Sequence, residues 1–94
     1  MVNALNGHIW FVDVVDATDI DLKHIFVKSI RWVGGATSAA GNAVVVREPG
    51  TNATLWESTA SGANYVEAEI LETTWPHGFE VPTLDIGTLY ITMR

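Results

Sequence analysis

No stretch of this chain holds a helical period for more than a turn. Apolar and β-branched residues recur instead in short runs, each closed by Gly, Pro, Asn or Asp. His8 to Val15 holds Ile9, Trp10, Phe11, Val12, Val14 and Val15. Ile25 to Val33 is the longest such segment, and Ala43 to Arg47 carries three consecutive valines. Glu48-Pro49-Gly50-Thr51-Asn52 has turn chemistry, with Pro presetting φ and Gly permitting φ > 0, so Thr54 to Ser58 reads as the returning strand of a hairpin. Tyr65 to Leu71 and Thr88 to Met93 complete the set. About six short strands separated by turns predict an all-β domain, a small antiparallel β-sandwich or jelly-roll-like barrel. Asp16 to His24 is the one candidate for a helical turn.

The alternation within runs carries further expectations. In Ile25 to Val33, Phe26, Ile30 and Trp32 share one face with Lys28. Ile25, Val27 and Val33 share the other with Ser29 and Arg31. Both faces are mixed, which predicts contacts on both sides of this strand. In Tyr65 to Leu71 the alternation is clean. Val66, Ala68 and Ile70 are expected to face the core, and Tyr65, Glu67 and Glu69 the solvent. Leu89, Ile91 and Met93 alternate with Thr88, Tyr90 and Thr92. Pro76, Gly78 and Pro82 argue against a regular ladder between Thr73 and Thr83.

A chain of 94 residues is one domain, 1–94, with a thin stability margin, and without cysteine neither a disulfide nor a thiolate metal site can widen it. Apolar residues make up 48% and charged residues only 17% of the chain, with four Trp, which is more than one small core can hold. Contiguous surplus of this kind marks an interface, so self-association as a dimer or trimer, or docking on a larger assembly, is expected. The net charge of −6 and the lack of a basic run disfavour nucleic acid as a partner. Neither a signal peptide nor an apolar run of membrane-spanning length is recognised, so no membrane partner is expected.

Chemistry-bearing patterns are weak. Asp13, Asp16, Asp19 and Asp21 supply oxygen ligands but lack the Gly and Glu positions of a Ca²⁺ loop, and read as a solvated turn. His8, His24 and His77 show no metal-ligand spacing. Gly35 to Gly41 lacks the Lys-Ser/Thr of a phosphate loop and no helix follows it. Asn52-Ala53-Thr54 is a chance glycosylation sequon. Ser29, Ser38, Ser58 and Ser61 lie in no nucleophile motif. The expectation is a non-enzymatic protein with no catalytic residue, no cofactor and no metal. Trp10, Trp32, Trp56 and Trp75, with Tyr65 and Tyr90, are candidates for stacking on sugar rings, set against core packing. Trp32 and Trp56 read as core, and Trp75 as exposed or at a contact.

From Ser29-Ile30-Arg31-Trp32 onward, roughly two thirds of the chain resembles a loose group of small proteins encoded among the virion structural genes of tailed bacteriophages. The run continues through Thr37-Ser38-Ala39-Ala40-Gly41-Asn42, Leu55-Trp56-Glu57-Ser58, Gly62-Ala63-Asn64, Gly78-Phe79-Glu80-Val81-Pro82-Thr83-Leu84 and Gly87-Thr88-Leu89-Tyr90-Ile91. The resemblance implies a β-sandwich that decorates or cements a capsid, with the major capsid protein or other virion subunits as partners and the virion surface as its location. It transfers no catalytic residue. A sugar-binding module of a host-recognition fibre and a head–tail or tail component are the alternatives. Two contact sites are expected. One is the N-terminal run as a docking or swapped arm (residues 1–10, with Val2, Leu5, Ile9 and Trp10). The other is Trp75, His77 and Phe79. The edge of the His8 to Val15 strand is a further candidate for sheet extension.

Overall fold

A computed structural model describes residues 4–12 and 24–94, with side chains from residue 7 onward in the first segment. Val2, the acidic set Asp13, Asp16, Asp19 and Asp21, the end of the first expected strand and nearly all of the expected helical turn lie outside the described residues. Eight strands are present: β1 Ala4–Asn6, β2 Ile9–Val12, β3 Ile25–Gly35, β4 Ala43–Arg47, β5 Thr54–Thr59, β6 Tyr65–Trp75, β7 Glu80–Leu84 and β8 Thr88–Met93. They form a five-stranded sheet in the order β1-β2-β8-β3-β6 and a three-stranded sheet in the order β5-β4-β7. Every pairing is antiparallel. The two sheets stack as a small β-sandwich, the fold class expected.

The core fills the space between the sheets. The larger sheet contributes Val12, Val27, Ile30, Trp32, Leu89 and Ile91. The smaller contributes Val44, Val46, Trp56 and Val81, and Trp75 and Phe79 close one end. Each such side chain contributes about 1.5–3 kcal/mol by leaving water. Trp32, fully buried, donates its indole N–H to the Ile86 carbonyl at 2.9 Å, so its polar atom is satisfied. The expected in–out alternation of β8 holds, with Leu89 and Ile91 fully buried.

Two expectations about faces and edges are corrected. The mixed faces of β3 reflect a bulge that changes which residues share a face. The register of β3 shifts between Val27 and Ser29 against both β6 and β8. This bulge turns Lys28 and Ser29 outward in succession, so Ile25 and Val27 before it, and Ile30 and Trp32 after it, all reach the core. Pro82 lies inside the edge strand β7, and the β4–β7 register shifts there, between Val45 opposite Thr83 and Arg47 opposite Glu80, so the ladder is irregular at Pro82 as expected. The first strand is not an edge: β2 is paired on both sides, with β1 and with β8.

The loops at one end are pinned by Ser38, which is only 4% exposed. Its hydroxyl lies 2.9 Å from the Gly35 carbonyl and 2.8 Å from the Gly62 carbonyl, and accepts from the Tyr65 N–H at 3.2 Å. One buried hydroxyl thus ties the β3–β4 loop to the β5–β6 loop.

Candidate functional site

β6 has the reverse polarity to the one its sequence suggests. Val66, Ala68 and Ile70 face away from the second sheet. Val66 is 50% and Ile70 77% exposed, the two most exposed large apolar side chains among the described residues. Tyr65, Glu67, Glu69 and Leu71 face the other way. The cause lies on β5, the neighbouring edge of the smaller sheet, whose Trp56 and Ser58 are buried. The Trp56 indole N–H donates to Glu69 Oε1 at 3.1 Å, and the Ser58 hydroxyl to Glu67 Oε1 at 2.6 Å. The Tyr65 hydroxyl donates to the same Glu67 oxygen at 2.9 Å. Side-chain bonds therefore close the seam between β5 and β6, where no backbone ladder runs. The hydrogen bond from Ser58, then that from Tyr65, hold the Glu67 carboxyl below its usual range, against a weaker opposing effect of desolvation.

With the carboxylates turned into the seam, the outer surface of the larger sheet is left apolar. The register places Phe11, Tyr90, Arg31 and Ala68 in one row across β2, β8, β3 and β6, and Ile9, Thr92, Ser29 and Ile70 in the next. Val33 and Val66 are paired beyond them. Phe11 and Tyr90 meet edge to face, with ring centroids 5.2 Å apart. A shallow depression of about 390 Å³ lies on this face, lined by Ile9, Arg31, Ala68, Ile70 and Tyr90 among others. Arg31 and Lys28 are exposed there, and neither takes part in the one ion pair found among the described residues, Arg47 with Glu80.

The expected contact residues are only partly on the surface. Leu5 lies in β1 and Ile9 and Trp10 in β2, and β1 folds back on β2 of the same chain (Leu5 opposite Trp10, Asn6 opposite Ile9). This part of the N-terminal run is a hairpin of the domain itself, not a free arm. Trp10 packs edge-on against Phe79 with centroids 6.0 Å apart, and its indole N–H has no partner among the described residues. Ile9 lines the outer face. The second expected site is corrected more fully. Trp75 is 3% exposed and Phe79 fully buried, meeting edge to face with ring centroids 5.7 Å apart, and only His77 of the trio is exposed. A loop bounded by Pro and Gly reads as surface, but here it folds its aromatic side chains under the end of the sandwich.

Trp32, Trp56 and Trp75 are buried, so the indoles do not form an exposed platform for sugar rings. His8, His24 and His77 are each exposed, and among the described residues no three His, Asp or Glu side chains gather as a metal site. The residues that make the outer face, Val66, Ala68 and Ile70 above all, were assigned to the core by alternation alone. The available signal was on the partner strand: Trp56 and Ser58 bring an N–H and an O–H that need acceptors once buried. No family model, curated protein or solved structure matches this chain.

Proposed function

We propose that this chain is a non-enzymatic structural subunit of a phage-type virion, assembled on the head shell as a decoration or cement protein. The observation that carries the reading is the inverted polarity of β6. An edge strand that spends its glutamates on the internal seam and presents Ile70 and Val66 to solvent leaves an apolar sheet face, which in a soluble domain serves contact with another protein. The likeness of the segment from Ser29 to Ile91 to small virion proteins supplies the kind of assembly. The proposed mechanism is mechanical. Copies bridge neighbouring shell subunits and add buried apolar contact, so that the shell resists internal pressure.

Co-expression with the shell protein of the virion that carries the chain, followed by gradient sedimentation, tests this. The chain is expected in the band of assembled shells, and Ile70→Lys is expected to release it. A chain that stays at the top of the gradient beside well-formed shells refutes the reading.

A further inference from the structure

The outer surfaces of β3 and β6 complement each other, and we infer that a second copy of this chain packs on them about a two-fold axis. The inference rests on the assembly reading above and names one partner for the exposed face. β3 presents Lys28, Ser29, Arg31 and Val33 outward, and β6 presents Val66, Ala68, Ile70 and Glu72. Cations stand on one strand and an anion on the other. The Lys28, Arg31 and Glu72 side chains are exposed and have no partner among the described residues. Glu72 is also held at φ 45, an unfavourable conformation for a residue other than Gly, which fixes its place beside the bulge.

An axis parallel to the strands and midway between β3 and β6 sets β3 of one copy over β6 of the other at unchanged height. The register then fixes the contacts. Arg31 lies over Ala68, Ile70 over Ser29, Val33 over Val66, and Lys28 over the β6 bulge beside Glu72. Ile70 meets the small Ser29, Arg31 lies over the small Ala68, the two valines pack on each other, and Lys28 approaches Glu72, its opposite in charge. Because the axis is two-fold, every contact occurs twice, as an isologous interface requires. Val66 and Ile70, the most exposed large apolar side chains among the described residues, are both covered. Other occupants fit less well. An all-apolar partner would strand Lys28 and Arg31, and a basic partner would face them as like charges.

Sedimentation equilibrium of the full chain, from micromolar to millimolar, is the test. Wild type is expected to associate to a dimer, and Ile70→Lys to stay monomeric. Lys28→Glu and Glu72→Lys each place like charges at both ends of the contact, and each is expected to weaken the dimer by about tenfold or more. An equimolar mixture of the two single variants is then expected to form a heterodimer of near wild-type affinity, since in that pair both bridges are restored. Circular dichroism melts of each variant separate loss of association from loss of fold. A wild-type chain that is monomeric throughout, or a mixture no tighter than its components, overturns the inference. Shell binding that persists under those results leaves the proposed function standing and assigns the face to the shell.

Discussion

Ser58→Ala separates the seam from ordinary packing, because its effect depends on pH with a sign set by Glu67. The Ser58 hydroxyl is 7% exposed and donates to Glu67 at 2.6 Å, and it is the largest cause of that carboxyl's lowered pKa. A hydrogen bond to a charged group is worth about 1.5–3 kcal/mol, but solvent reaches this partly exposed carboxylate and screens it, so about 1 kcal/mol is expected at neutral pH. A carboxyl whose folded pKa is depressed contributes stability that is present above its unfolded pKa, near 4.3, and lost as pH falls through the folded value. The cost of Ser58→Ala should therefore be full at pH values above about 6 and shrink in acid, as protonation weakens the bond in the wild type too. Urea melts at both extremes measure this, and carbon-detected NMR titration of the Glu67 carboxyl should show its midpoint moving upward in the variant. An equal cost at both pH values, with an unmoved midpoint, would refute the claim that the β5–β6 seam is held by charged side-chain hydrogen bonds.

Gly87 sits at φ 82, and a Cβ there would run into the Val33 carbonyl oxygen and crowd the Gly34 Cα, both backbone atoms that cannot step aside. Gly87→Ala should cost about 3 kcal/mol or more in a denaturant melt, whereas Gly35→Ala, at φ 85 but with open space, should cost only about 1–2 kcal/mol. Ser38→Ala removes the hydroxyl from the Tyr65 N–H and the Gly62 carbonyl, while the Gly35 carbonyl keeps the Ser38 and Asn64 N–H groups. A loss of about 1–3 kcal/mol is expected, with faster amide exchange at Tyr65. Arg47 meets Glu80 at 2.5 Å with the glutamate side chain 9% exposed, so Arg47→Met should cost about 2–3 kcal/mol in a thermal melt, and the double change Arg47→Met with Glu80→Leu should recover most of it.

Strand existence was legible wherever a run of β-branched residues met a turn signal, because both signals are local. β4, β5 and β8 lie within a residue of where their runs and turns place them. Errors arose where a neighbour in space decides. The bulge at Lys28 and Ser29 inverts the in–out parity of β3, and nothing in Phe26 to Arg31 announces it, since it is set by the register against β6 and β8. Pro82 does interrupt the ladder, at the β4–β7 register shift, because a missing N–H is a local property of the segment. Trp75 and Phe79 were read as surface because Pro76 and Gly78 signal a turn, and a turn says nothing of which way its flanking side chains point.

The site was the least legible part, and β6 shows why. Alternation gives two faces but not which of them is inside. The usual rule assigns the apolar face inward because burying a bare carboxylate is costly. That cost falls when the carboxylate sits at an open seam, stays partly hydrated and accepts bonds from buried donors, as Glu67 does from Ser58 and Tyr65, and Glu69 from Trp56. The same choice has a second consequence. Inward-pointing charges on an edge strand hinder another strand from adding to it, so β6 is a poor template for sheet extension. The exposed apolar surface is thereby placed on the face and not the edge, where Val66 and Ile70 stand beside Lys28 and Arg31, which have no ion pair among the described residues. The glutamates that mark β6 as solvent-facing in the sequence are what leave its apolar side exposed in the fold.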